Sequence, residues 1–235
     1  MSTADPSAKH TKSEHTKQKI IDTYLSLIQT KKWDRITVKD LCSSAGITRG
    51  TFYQYYSSIY ELTDYLEDTL IRDITERYER YSTVSPEPFP IEEFLTRFDC
   101  EPPRHLLAWF DFCKDNRAAV SALLHPVNGE PYFEIKLRAI LEHSIRKMMD
   151  DDGLPHDELR NYFLRIFTEL HFLSARTWLS SEGDSFLSVS EIVNLLNVMR
   201  VGAGYLTYKT KTNPDFSSHF SKLAGKTEQD KEENL

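Results

Sequence analysis

The chain has 235 residues, 40% of them hydrophobic, with only eight Gly and ten Pro, so it can bury one large core or two small ones. Its apolar runs fall short of the roughly eighteen residues of a membrane span, and the polar N-terminus lacks a signal-peptide core, so a soluble, cytoplasmic protein is expected. A net charge of −7 argues against nucleic-acid binding by the molecule as a whole, but residues 1–60 carry nine Lys/Arg against five Asp/Glu, a net +4. A basic front on an acidic body is the asymmetry of a DNA-binding head joined to a domain with another task.

Residues 1–14 are polar and without periodicity, and read as a disordered tail in preference to a basic arm built from Lys9, His10, Lys12 and Lys17. From Thr16 to Thr30 the positions Ile20, Ile21, Tyr24, Leu25, Leu27 and Ile28 predict a helix with a wide buried face, and Trp33 and Ile36 plug the gap after it. Thr37 and Asp40 are spaced as a variant capping box. Val38, Leu41, Cys42 and Ala45 form one apolar stripe, which Gly46 ends by taking a left-handed conformation. Thr48 is placed to cap the next helix, whose inner face carries Phe52 and Tyr56. The pattern is a helix-turn-helix in which the second helix is the reader. With Phe52 inward, Gly50 and Gln54 point out, flanked by Thr51 and Tyr53. A helix-interior Gly costs roughly 1 kcal/mol against Ala, and close approach of the backbone to a groove wall would account for Gly50. Arg49, Thr51, Gln54 and the hydroxyls of Tyr53 and Tyr55 supply donors, and none of these residues is acidic.

The window from Thr37 to Leu62 resembles the N-terminal signature of the TetR family of transcriptional regulators. Thr37, Val38, Leu41, Ala45-Gly46-Ile47-Thr48-Arg49-Gly50-Thr51-Phe52-Tyr53, Tyr55, Tyr56, Ser58 and Leu62 fall in the family's order. The sequence departs from that signature at Ile59, where Lys is usual after the Ser, and at Lys32, where Gly is usual before the aromatic residue.

Ser58 and Glu61 form the capping box of a fourth helix that runs through Leu62, Leu66, Leu70, Ile74 and Tyr78. To Tyr81 it spans roughly 35 Å, long enough to belong to both domains. The segment Ser85 to Pro90, SPEPFP, marks a junction. Further helices are predicted at Ile91–Phe98, Pro103–Asp115, Arg117–Leu124, Tyr132–Met149, Asp157–Ser180 and Ser190–Tyr208, separated by turns such as HPVNGEP, DDDGLP and SEGD, and the charged stretch from Lys222 reads as a frayed tail. The expected fold is therefore all-α: a tail at 1–14, a three-helix head at 15–60, a helical bundle at 61–221 reached by the long helix, and a tail at 222–235.

Two of the helices are apolar over much of their circumference: one through Leu159, Tyr162, Phe163, Ile166, Phe167, Leu170, Leu173 and Trp178, the other through Ile192, Leu195, Leu196, Met199, Ala203 and Leu206. By the resemblance these two pair with a second copy, with Gly202 and Gly204 allowing close approach, and the homodimer presents its readers about 34–36 Å apart. Cys42 reads as a core residue, and the acidic neighbours of Cys100 oppose a reactive thiol, so a redox switch with Cys113 is disfavoured. The aromatic middle of the body, with His105, Trp109, Phe112, Phe163, Phe167 and His171, is the candidate effector pocket; Glu169 and Arg176 could add polar groups. The two histidines lack a third metal ligand by spacing, and they read as neutral core residues. No nucleophile elbow, phosphate loop, zincin or dinucleotide motif is present, so neither catalysis nor a cofactor is expected.

The reading is a homodimeric, sequence-specific DNA-binding regulator of double-stranded operator DNA. Thr37, Lys39, Thr48, Tyr53 and Tyr55 are assigned to phosphates, and Arg49, Thr51 and Gln54 to base edges. By the resemblance it is a repressor released by a small apolar or amphipathic effector that tilts the fourth helix. The alternative is a protein of the same fold controlled by a protein partner.

Overall fold

The computed structural model describes residues 6–82, 102, 104–151, 153–180 and 187–213, and all regular structure among them is helical. The head contains α1 (Pro6–Ile28), a 3-10 turn at Trp33–Arg35, α2 (Val38–Ala45) and α3 (Arg49–Tyr53). α1 starts well before the expected Thr16. Pro6 stands at its first position, where a missing N–H costs nothing. The polar turns that follow extend a helix anchored further along by buried Ile20, Tyr24, Leu25 and Ile28. These four share one core with Leu41, Cys42 and Ala45 of α2 and with Phe52 and Tyr56. Each Leu, Ile or Phe among them contributes about 1.5–3 kcal/mol on burial, which lets short α2 and α3 hold their shape.

The head leads into α4 (Ile59–Ser82), 24 residues and about 36 Å long. Leu62, Leu66, Leu70, Ile74 and Tyr78 are buried along one side of it. Its capping box forms with a change of partner. Ser58 Oγ accepts from Glu61 N at 3.1 Å, while the Glu61 carboxylate accepts from the Ser57 backbone N–H at 2.6 Å and from the Ser57 hydroxyl.

The body consists of α5 (Arg104–Asp115), α6 (Arg117–Leu123), α7 (Pro131–Asp151), α8 (Glu158–Ser180) and α9 (Val189–Thr212). These bounds lie within a few residues of those expected from periodicity. The predicted helix at Ile91–Phe98, the SPEPFP junction, the SEGD turn, Cys100 and the C-terminal tail lie outside the described residues. α5 is the central element: Ala108, Trp109, Phe110, Phe112 and Cys113 are fully buried, and α4 and α9 pack against it. Gly153, at φ 68°, terminates the α7 turn. Asp150, at the end of α7, ion-pairs with buried Arg160, whose guanidinium also donates to Leu154 O and Arg146 O at 3.0 and 3.2 Å. That cluster ties the end of α7 to the start of α8.

The long helix and the head are each locked to the body. Asn116 Nδ2 donates to Asp73 Oδ2 at 2.8 Å, and Arg77 bridges Asp73 and Asp115 at 2.9 Å each. In the turn between α6 and α7, Asn128 O accepts from Trp33 N at 2.9 Å and Asn128 Nδ2 donates to Gln29 O at 3.3 Å. Gly129 makes that turn feasible, because a Cβ there would lie 2.3 Å from Leu123 O and 2.7 Å from His125 O.

Candidate nucleic-acid interface

The proposed reader is built from two caps. Thr37 caps α2, its hydroxyl accepting from Asp40 N at 3.2 Å while the Asp40 carboxylate accepts from Thr37 N at 3.0 Å. Lys31 Nζ closes on the same carboxylate at 2.6 Å. These hydrogen bonds hold the Asp40 carboxyl well below the usual carboxylate range, and the acid is spent inside the head. Gly46, at φ 61°, ends α2 and returns its N–H to Cys42 O and Ser43 O. Thr48 then caps α3, accepting from Thr51 N at 3.0 Å, and its hydroxyl shares a 2.9 Å bond with Thr51 Oγ1.

α3 is a single short helix with Phe52 buried beneath it and Gln54 as its C-cap. Lys39, Thr48, Arg49, Gly50, Tyr53 and Gln54 are exposed, Tyr53 at 55%. Thr51 and Tyr55 are half-buried. Tyr55 leans on the core, and its hydroxyl lies 3.2 Å from Ser13 Oγ on α1. Thr51 and Tyr55 thus help position the reader as well as face outward. At Gly50 an added Cβ would meet only Thr48 Oγ1, at an ordinary 3.7 Å, and φ is not positive. Nothing inside the molecule requires Gly50. From Thr48 to Gln54 the only formal charge is Arg49.

Residues 20–66 match the sequence profile described as "Bacterial regulatory proteins, tetR family". The head is a TetR-family N-terminal domain. The TetR fold extends past it. A TetR transcriptional regulator from Streptococcus agalactiae 2603V superimposes with a TM-score of 0.52 over 83% of this chain and 98% of its own, at 20% identity. A tetR-family transcriptional regulator from Streptomyces coelicolor gives a TM-score of 0.51 over 90% of this chain and 89% of its own, at 18% identity. No curated protein matches by sequence.

In the TetR-like body, the aromatic candidates come together as packed core. Trp109, Phe112 and His171 are fully buried and Phe167 nearly so, while Phe163 is half-buried at 6.3 Å from the Phe167 ring. The half-buried His105 ring stacks at 6.1 Å on His171, and Trp109 meets His171 at 6.1 Å and Phe172 at 5.6 Å edge-on. His171 Nδ1 lies 2.6 Å from Phe167 O, so it carries the proton and leaves Nε2 as a bare acceptor. Burial pushes the His171 imidazole down to about 4. Burial, reinforced by His171 and Arg200, also holds His105 well below the usual histidine range. His171 Nε2 and Trp109 Nε1 are both buried without a hydrogen-bond partner. Glu169 and Arg176 do not serve this cluster as polar groups. Arg138 takes Glu169 at 2.6 Å and Glu134 at 2.9 Å, and Arg176 also pairs with Glu134, knitting α7 to α8. Among the described residues no group of three or more His, Cys, Asp or Glu is arranged to hold a metal ion, and no helix is long and apolar enough to cross a membrane.

Sequence reasoning passed over two buried carboxyls, Glu67 and Glu130. The signal was available for the first. Thr63, Glu67, Leu70 and Ile74 share the inner face of α4, and an acid there interrupts an apolar stripe.

Proposed function

We propose that the chain is a cytoplasmic, homodimeric repressor that reads operator DNA with α3. The head, residues 15–60, docks into the major groove; the body, residues 61–221, dimerises and takes the regulatory signal. Gly50 carries this reading. It is exposed, it has no internal packing role, and it sits in a face free of acidic side chains between Arg49 and Gln54, so the surface is shaped for something outside the protein that is negatively charged and approaches to backbone distance. Thr37, Lys39, Thr48, Tyr53 and Tyr55 take phosphates; Arg49, Thr51 and Gln54 take base edges. In the body, the unmatched Trp109 N–H and His171 Nε2 offer one donor and one acceptor in an apolar setting, the polar complement of a small amphipathic effector. The effector releases DNA by preferring a state in which α4 is tilted.

The test is selection of duplexes by the purified protein, followed by anisotropy titration at several salt concentrations. Operator affinity is expected to fall steeply as salt rises. Gln54→Ala is expected to relax preference at one base position by about 1–3 kcal/mol. Salt-independent binding, or an unaltered preference, removes α3 from the groove.

Control by a protein partner is the second reading. The close packing of Trp109, Phe112 and Phe172 favours it, because a filled core leaves little room for a ligand.

A further inference from the structure

Where head meets body, two carboxyls are buried face to face. Glu67 of α4 is 2% exposed and Glu130, at the entry to α7, is 3% exposed, and both line one cavity with Lys136. Glu130 Oε2 also accepts from Phe133 N at 2.6 Å. Lys136 Nζ lies 2.7 Å from Glu67 Oε2 from the solvent side. The surroundings are otherwise neutral or acidic. From α1, Tyr24 reaches in and shares a 2.6 Å bond with Thr63. α4 adds Asp64 and Asp68 around the Lys136 ammonium. Trp33, Tyr60 and Tyr132 line the mouth of the same cavity, about 430 Å³ in volume. One ammonium cannot balance two buried carboxylates, so the pair is stable in the fold with a proton on one of them.

We propose that Glu67 and Glu130 form a proton-operated latch between head and body. With one proton shared, the Asn128-Gly129-Glu130 turn stays docked on Trp33; with both carboxylates ionised, their repulsion opens that seam. The turn has the geometry for this role. Glu130 lies two residues beyond Asn128, whose carbonyl takes the Trp33 N–H, so displacing Glu130 pulls on the head. Burial, against the Lys136 ammonium but assisted by Glu130, pushes the Glu67 carboxyl up to about 7. Tyr24, pushed up to about 12 by burial, stays neutral across that range, and Lys136, its ammonium favoured by Glu67, stays charged. For stability, a carboxyl raised from about 4.5 to about 7 binds its proton in the folded state alone between those values. Its contribution is complete below about pH 4.5, declines to about pH 7 and is flat beyond. The latch stands on the seam alone and does not require that α3 read DNA.

The test uses the full chain labelled with 5-fluorotryptophan, with the Trp33 resonance assigned by Trp33→Phe. Across pH 5.5–8.5 the Trp33 resonance is expected to move with a midpoint near 7 and to stay at its low-pH position in Glu67→Gln. Thermal midpoints are compared in parallel, because His171, its imidazole pushed down to about 4 by burial, adds stability as pH rises from about 4 to 6.5 and, with the buried His105 acting in the same direction, masks part of the Glu67 decline in the wild type. The wild-type advantage over Glu67→Gln should therefore shrink steadily from pH 5 to pH 7. Should Glu67→Gln fail to fold, Glu130→Gln removes the charge that opposes Glu67 and should hold the resonance fixed. A Trp33 resonance that does not titrate in the wild type, or that titrates unchanged in the folded variant, overturns the latch.

Discussion

Gly50 shows how one residue separates folding from reading. Inside the protein it is a defect: Gly weakens a helix by about 0.5–1 kcal/mol relative to Ala, and α3 is only five residues long. A methyl group would fit, since the first atom it would touch is Thr48 Oγ1 at 3.7 Å. Gly50→Ala is therefore expected to leave thermal stability unchanged or raised by up to about 1 kcal/mol, while weakening binding to a selected duplex at least tenfold. Calorimetry and anisotropy on one preparation check both halves. Equal DNA affinity in the variant would show that the backbone at this position does not approach a groove. The outward direction of Gly50 and Gln54 was legible because Phe52 fixes the inward one. The double duty of Thr51 and Tyr55 was not, since a hydroxyl bond to Thr48 or to Ser13 depends on tertiary placement.

Elements were legible where a stripe and a cap coincide. α2 has both, in Leu41, Cys42 and Ala45 behind the Thr37–Asp40 box, and its bounds followed. The start of α1 was hidden because the sequence of its first turns carries no periodic signal. The turn between α6 and α7 read as loop material, yet it is a structural joint. Asn128 reaches Gln29 O through its side-chain amide and Trp33 N through its carbonyl, and Gly129 sits against Leu123 O and His125 O with no room for a side chain. Gly129→Ala must displace backbone, and a destabilisation of about 1–3 kcal/mol is expected, with hydrogen exchange rising first at the Trp33 amide. A variant as stable as the wild type would mean that the turn is compliant.

For the whole molecule, the decisive surface is one the monomer leaves open. Tyr162, Ile166 and Leu173 on α8 and Leu195, Val198 and Met199 on α9 are exposed, whereas Ile192, Val193 and Leu196 on the opposite side of α9 are buried. A helix with apolar residues on both sides needs a second cover. Gly202, which has no neighbour within 4 Å of a Cβ position, extends that open side. A second copy covering it would set two heads at a fixed spacing, and binding would gain the effective concentration of a linked pair, worth about 10²–10⁴ in affinity. The double variant Ile166→Glu, Leu195→Glu tests this without threatening the fold, since surface changes of this kind usually cost within about 0.5 kcal/mol. It is expected to sediment as a monomer with an unchanged circular dichroism spectrum, to lose affinity for a two-half-site duplex by that factor, and to bind an isolated half-site as weakly as the wild type. Persistence of the dimer would place the symmetric contact elsewhere on the body. A monomer that kept full affinity would mean that a single α3 suffices for recognition, and the spacing of the heads could then carry no regulatory signal.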